Sequence, residues 1–387
     1  MRLAAAALLL VARTAVASPP TQPIANRSYE LDLYEGFALG STEIVAMGGA
    51  GVANAIGSSG TLINPSAPAV RQTTDHDWWS WDYHLDYLDG SLSNDYDNAQ
   101  LGGITVAARV LTLGVSGRVH DWAAAITGTA QYEDLPGNLR PEELHLRFAV
   151  ARWIPELDLA IGADVSVGQF DLIDTAPAPN QTLFTISGAG LEAGAQWLPS
   201  MQDLRLGASV ATSEHGNNVT VSSCDPESCT DAGFILPEEV FVPWRLAAGA
   251  AYRWADTPWN QIVPARFRDE HAVTVVADLV ATGAAPDGYG IQAFGEKLLE
   301  RSGKHVSWSP RGGVQYEWLP GRLRVRGGTY WEPGRFEGVD GRLHATFGLE
   351  VRVLEFHAWG LRRGAITLTA DAASSYSNAG LSLGFWH

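Results

Sequence analysis

Three times in this chain an alternating run of about ten residues ends on Trp-x-Pro: Trp153-Ile154-Pro155, Trp197-Leu198-Pro199 and Trp318-Leu319-Pro320. Each time a second alternating run starts within a few residues. The pattern is a hairpin repeated at one depth, with an indole at its base. Indoles favour the boundary between hydrocarbon and water. A ring of them at the turns of many hairpins is built by transmembrane β-barrels.

The runs themselves carry period two. Leu159, Ile161, Ala163, Val165 and Val167 form one face; Ala160, Gly162, Asp164, Ser166 and Gly168 form the other. The run Leu343, Ala345, Phe347, Leu349, Val351, Val353 repeats this, with His344, Thr346, Gly348, Glu350 and Arg352 opposite. In a soluble sandwich the apolar face would line a core; in a barrel it meets lipid and the charged face lines the interior. The expected fold is all-β, an antiparallel up-and-down transmembrane barrel. Parsing by turns gives strands at 78–88, 99–110, 111–132, 144–153, 158–171, 186–197, 203–213, 239–254, 271–282, 305–318, 321–332, 342–352, 354–372 and 378–387. His120-Asp121 is an alternative turn between the second and third. Fourteen is an even number, so both barrel ends fall on the periplasmic side. Trp153 lies on the inward parity of its strand, which predicts a bulge there or a side chain that leaves the girdle.

The chain opens with Arg2, the apolar run Leu3 to Ala12, and Ala15-Val16-Ala17. That order reads as a signal peptide over 1–17, cleaved after Ala17. The apolar run is too short to span roughly 30 Å of hydrocarbon. The acidic excess, 43 Asp and Glu against 26 Lys and Arg, repels nucleic acid. It suits loops facing lipopolysaccharide. The two cysteines, Cys224 and Cys229, sit in a turn-rich loop. In an oxidising compartment they are expected to form a small disulfide loop. Asp95-Tyr96-Asp97-Asn98 hints at calcium only faintly, and no metal or cofactor motif is present.

Inward parity collects charge. Arg147, Arg245, Arg253, Arg311, Arg322, Arg324, Arg326 and Arg352 share these faces with Asp82, Asp86, Asp164, Asp278, Glu317 and Glu350. We read them as a structural charge ladder across the lumen. His84, His145 and His344 lie on polar faces without a Ser-centred signature, which argues against an enzyme. In the long connection 283–304, Ile291, Phe294, Leu298 and Leu299 follow helical spacing. Phe294, Leu298 and Leu299 are candidates for outer capture of a ligand.

Residues 18–77 do not alternate and precede the barrel proper at 78–387. They hold Ala46-Met47-Gly48-Gly49-Ala50-Gly51-Val52-Ala53 and then Asn64-Pro65-Ser66-Ala67. No Gly-Lys-Ser/Thr follows and no strand–helix frame surrounds the block, so it is neither a P-loop nor a dinucleotide fingerprint. A Gly-rich block ahead of a barrel's first strand suggests a plug inside the lumen. Both blocks resemble the FadL/TodX superfamily of long-chain fatty-acid transporters and its PorV-like relatives. Ser66 stands where that family usually has Ala, and Gly57-Ser58-Ser59-Gly60 stands where it tends to carry acids. At the C-terminus, Asn378-Ala379-Gly380-Leu381-Ser382-Leu383-Gly384-Phe385 resembles the signal read by the barrel-assembly machinery, displaced by two residues.

The resemblance implies a fourteen-stranded barrel with an N-terminal hatch that takes up hydrophobic small molecules passively in the bacterial outer membrane. Gly48, Gly49, Gly51, Asn64 and Pro65 would belong to the hatch. The alternative it implies is a PorV-like structural or secretion partner without transport. An apolar lumen between hatch and loops would favour the first; ion pairs from rim to rim would favour the second.

Overall fold

The computed structural model describes residues 21–34, 36–38, 40–94, 98, 106–216, 229–231, 233–263, 267–358 and 361–386. The expected leader and its cleavage point, Asp95 to Asp97, and Cys224 lie outside these residues. Cys229 is buried and disulfide-bonded.

Fourteen antiparallel strands close on themselves. They are β1 (Trp79–Asn94), β2 (Val106–Val119), β3 (Trp122–Asp134), β4 (Leu139–Ile154), β5 (Leu159–Asp174), β6 (Gln181–Trp197) and β7 (Leu204–Ala211). The circuit continues through β8 (Arg245–Trp254), β9 (Val273–Thr282), β10 (Ser307–Leu319), β11 (Leu323–Glu332), β12 (Arg342–Ala358), β13 (Leu361–Ala373) and β14 (Tyr376–Trp386). It closes where β14 pairs with β1, Phe385 opposite Tyr83 and Ser382 opposite Asp86. Every wall strand then has two neighbours, so no backbone edge faces hydrocarbon.

Parity decides the faces. Leu111, Leu113, Val115, Ile126, Phe148, Val165, Leu191, Leu279, Leu343, Phe347 and Leu368 all point outward and are exposed. Their neighbours at every second position, such as Thr112, Ser116, Thr127, Asp164, Glu192, Asp278 and Glu350, are buried inside. Trp122, Trp197, Trp254 and Trp318 stand outward near the short-turn end, and Trp308 and Trp331 near the other. The oily faces do not touch one another, which rules out the sandwich.

Several expected boundaries move. The turn after β2 is His120-Asp121, not the break at 110–111. The turn between β12 and β13 falls after Ala358 rather than at Val353. The expected strand 239–254 is two elements: Glu239–Val242 pairs with Glu30–Asp32 away from the wall, and β8 starts at Arg245. Trp153 is not a girdle residue. The β4–β5 register runs through it without a bulge, and its ring packs inside against Ala69, Val70 and Leu198.

A second body of structure fills the outer end. Tyr29, Leu31 and Phe37 pack with Phe170, Leu172, Phe184, Ile186, Phe234, Phe294 and Tyr376 into one apolar core. Glu30–Asp32 forms parallel pairs with both Glu239–Phe241 and Gly288–Tyr289, so loop backbone groups are satisfied there.

Candidate functional site

From this outer core the N-terminal segment descends inside the barrel. Helix α1 (Thr42–Ala46) contacts β11 to β14 and β1; helix α2 (Gly57–Gly60) contacts β1 to β3; the 3-10 turn Ala67–Ala69 contacts β2 to β5. The chain leaves at the short-turn end, where Val263 donates its N–H to Thr73 O at 2.9 Å, and becomes β1.

Inward-facing wall side chains hold this segment by its backbone. Asp86 Oδ1 accepts the Thr42 N–H at 2.8 Å and the Thr42 hydroxyl at 3.0 Å. Two positions along the same strand face, at the other side of His84, Asp82 Oδ1 accepts the Ser58 N–H at 2.8 Å and the Ser58 hydroxyl. Neither short helix has a side-chain cap of its own. The wall supplies the missing acceptors, and carboxylates suit helix N-termini. Asp278 Oδ2 likewise accepts the Gly51 and Val52 N–H groups at 2.6 and 2.9 Å. The Thr346 hydroxyl accepts from Gly48 N–H at 3.0 Å and donates to Ala46 O at 3.1 Å. Higher up, the Tyr330 hydroxyl accepts the Ala38 N–H at 3.0 Å and donates to Asp371 at 2.6 Å.

The wall is also grooved to fit. A Cβ added to Gly162, Gly194, Gly207, Gly313, Gly328 or Gly348 would overlap Pro65, Asn64, Val52, Met47, Gly48 or Ala46, respectively. Gly48 and Gly49 adopt φ of +69° and +68°, and a Cβ at Gly48 would lie 2.7 Å from Gly312 O. Gly51 is less constrained, with Ile63 at 3.0 Å from the site of its absent Cβ. Asn64 is fully buried and donates to Val52 O at 2.9 Å and Ala195 O at 3.2 Å. Ser66, at the departure from the family pattern, donates to Asn64 Oδ1 at 2.8 Å and accepts from Gln196 at 3.2 Å. Where the family tends to carry acids, this chain has Ser58 and Ser59, and the acids stand opposite them, as Asp82 and Glu43 (Ser59 Oγ to Glu43 at 2.7 Å).

The expected charge ladder resolves into separate groups. Glu192 takes Arg147 at 2.9 Å and Arg245 at 3.5 Å. Glu350 gathers Arg326, Arg352 and, at 3.6 Å, Arg324, which also reaches Glu317 at 3.4 Å. Arg253 pairs instead with Glu270 of the 255–272 connection, at 2.8 Å. Arg311 and Asp278 face each other in register, yet both turn to the N-terminal segment, Arg311 donating to Gly49 O at 3.4 Å. Both Asp164 carboxylate oxygens lack a hydrogen-bond partner among the described residues. Arg322 does not join the ladder: it is exposed in the turn before β11.

The outer-capture candidates are already occupied. Phe294, in helix α3 (Ile291–Gly295), is 1% exposed, against Tyr29 and Phe234. Leu299 and Leu298 pair with Gln22 and Pro23, and Leu299 leans on the same core. Crevices there measure about 30 Å³ each. The larger space lies beside the N-terminal segment: a polar cavity of about 220 Å³ bordered by Ser58, Asp86, Arg205, Trp259, Arg326 and Phe267. Its floor is the connection 255–272, longer than an inner turn is expected to be. Ser58, His84 and Asp86 border it without forming a catalytic relay. His84 Nδ1 is 2.9 Å from Ser58 Oγ, but the Ser58 proton is directed at Asp82, and His84 Nε2 stands 3.6 Å from Asp86.

Sequence reasoning placed Asp82 and Asp86 among the charge-ladder residues rather than as acceptors of backbone N–H groups, and missed Gln196, Tyr330 and the wall glycines. Their only signal was small or polar character at inward parity.

No protein-family model matches the chain, and no curated protein matches it. Among solved structures it is similar to the CymD monoaromatic hydrocarbon channel, at 13% identity and TM-score 0.54, covering 91% of this chain and 98% of that one. It is similar to the Ralstonia pickettii toluene transporter TbuX at 13% identity and TM-score 0.52, covering 89% and 97%. A Pseudomonas aeruginosa FadL homologue aligns at 11% identity and TM-score 0.52, covering 95% and 99%. A closed barrel of fourteen strands, an apolar outer band and these likenesses together give this chain the fold of the FadL superfamily, which its Ala46–Ala53 and Asn64-Pro65 blocks resemble.

Proposed function

We propose that the protein is a passive outer-membrane channel for hydrophobic small molecules, stoppered by its own residues 29–77. The observation that carries this reading is the composition of the outer core. Tyr29, Leu31 and Phe37 belong to the segment that blocks the lumen, and they supply the apolar mouth jointly with Phe184, Phe234 and Phe294 of the wall and loops. A greasy solute entering that mouth gains about 25 cal/mol per Å² of apolar area buried. It does so by competing with the stopper's own contacts, so binding and unblocking are one event. The named neighbours, a monoaromatic hydrocarbon channel and a toluene transporter, support a hydrophobic solute. They are channels, which supports a non-enzymatic role. The bilayer, lipopolysaccharide and, through Asn378 to Phe385, the assembly machinery are the partners this reading requires.

One observation favours the alternative, a structural or secretion-partner barrel. Ion pairs run from Arg118–Asp75 at the inner end, through the Glu350 group, to Arg342–Glu332 at the outer rim. The test is uptake of labelled toluene and of a labelled fatty acid into cells lacking their own transporter. Uptake above empty vector, abolished when oxidised cysteines replace the touching pair Val52 and Ala247, is the expected result. No gain with either solute would leave the structural reading.

A further inference from the structure

One arginine bordering the polar cavity is buried without a carboxylate partner. Arg205 of β7 is 1% exposed. Its Nε donates to Asn260 Oδ1 at 2.8 Å and its Nη1 to Asn54 Oδ1 at 3.3 Å, both neutral amides. The guanidinium sits over Trp259, 3.9 Å from the ring centroid. Among the described residues no carboxylate comes within 4.0 Å of it, and its Nη2 has no hydrogen-bond partner. Of the other arginines bordering the cavity, Arg253 and Arg268 belong to the same end as Arg205. Arg253 and Arg268 share Glu270, at 2.8 and 3.4 Å. Burial, and then the charge of Arg253, hold the Arg268 pKa below that of an ordinary arginine. The next acid, Asp203, accepts the Trp259 N–H at 2.8 Å. Two guanidinium groups therefore share one carboxylate, and the third, Arg205, has only neutral partners beside a polar cavity.

We propose that this cavity binds one small oxyanion, of the phosphate or sulfate type, at the open Nη2 of Arg205. A buried charge without a counter-ion is costly. The Nη2 group, the one guanidinium nitrogen left without a partner, offers an oxyanion charge-assisted N–H donors. Trp259 fixes the plane of the group, and Asn260 and Asn54 orient it without neutralising it. The site is separate from the apolar mouth, so it stands or falls independently of hydrophobic transport.

The experiment uses the purified full-length protein in a zwitterionic detergent at constant ionic strength. Equilibrium dialysis against labelled inorganic phosphate should saturate at about one phosphate per chain, as one open guanidinium nitrogen allows. At a phosphate concentration 100-fold above Kd, Tm should rise by about 3 °C. Arg205→Met should lose the bound phosphate and the Tm rise, yet be no less stable than the parent in phosphate-free buffer. Asn260→Asp, which places a carboxylate against Arg205, should also abolish binding, and it serves if the methionine variant does not fold. Octanoate should not displace the phosphate. Absence of saturable binding in the parent, or binding retained in both variants, would overturn the proposal. Displacement by octanoate would also overturn it, assigning Arg205 to the transported solute instead.

Discussion

At the scale of single residues, the stopper hangs on a few wall acceptors. Asp278 is buried and satisfies two consecutive backbone N–H groups of the Gly-rich block. Hydrogen bonds to a charged acceptor contribute about 1.5–3 kcal/mol. Asp278→Asn should therefore loosen the stopper by that order, read as faster amide exchange confined to residues 49–54 with the barrel strands unchanged. Gly207 tests fit rather than charge. Its neighbours are Val52 O and the Ala53 Cα. Gly207→Val should push the segment off the wall, read as a new ion conductance in planar bilayers where the parent shows none. The sequence made part of this legible. The Gly-rich and Asn64-Pro65 blocks marked the segment that lies against the inner wall, because backbone-to-backbone packing needs small residues. Asp86 and Asp278 could not be told from ladder members, because their partners are main-chain groups and carry no sequence signature.

At the scale of elements, alternation found every wall strand, while boundaries drifted where alternation continues past the wall. Val240 and Phe241 keep strand character because they pair with Leu31 and Asp32, a contact no local pattern reveals. The 255–272 connection was invisible for the opposite reason: its order comes from polar clasps. Glu270 accepts from Arg253 at 2.8 Å and from the Thr257 N–H at 2.9 Å. Burial raises the Glu270 pKa, but hydrogen bonds from Arg253 and Thr257 outweigh it and hold the carboxyl below its usual 4.5. The clasp's contribution is thus complete above that ordinary value and is lost as pH falls through the depressed one. Exchange protection of residues 255–263 and 267–272 should hold from neutral pH down to about 4.5 and fall away below it. Glu270→Gln should show the low-pH level of protection throughout.

At the scale of the whole molecule, the outward faces follow from period two, and the even strand count puts both ends of the wall on one side, where pairing of β14 with β1 closes the ring. The protein should partition with membranes and migrate on gels in a heat-dependent way; a soluble, heat-indifferent band would contradict the outward orientation of Leu343, Phe347 and Leu368. What occupies the outer end could not be read, because Tyr29, Phe234 and Phe294 come from three distant stretches with no shared period. The grooved wall has one more consequence. Wall glycines let the segment's main chain lie directly on the barrel at Met47–Gly48, Val52–Ala53 and Asn64–Pro65, so the space left beside it is confined to one polar cavity. Under the proposed function, flux is paced by how often the obstruction breathes, not by collision with the mouth. Entry rates should plateau at modest solute concentrations and climb steeply with temperature, whereas leakage through a water-filled pore stays linear and shallow.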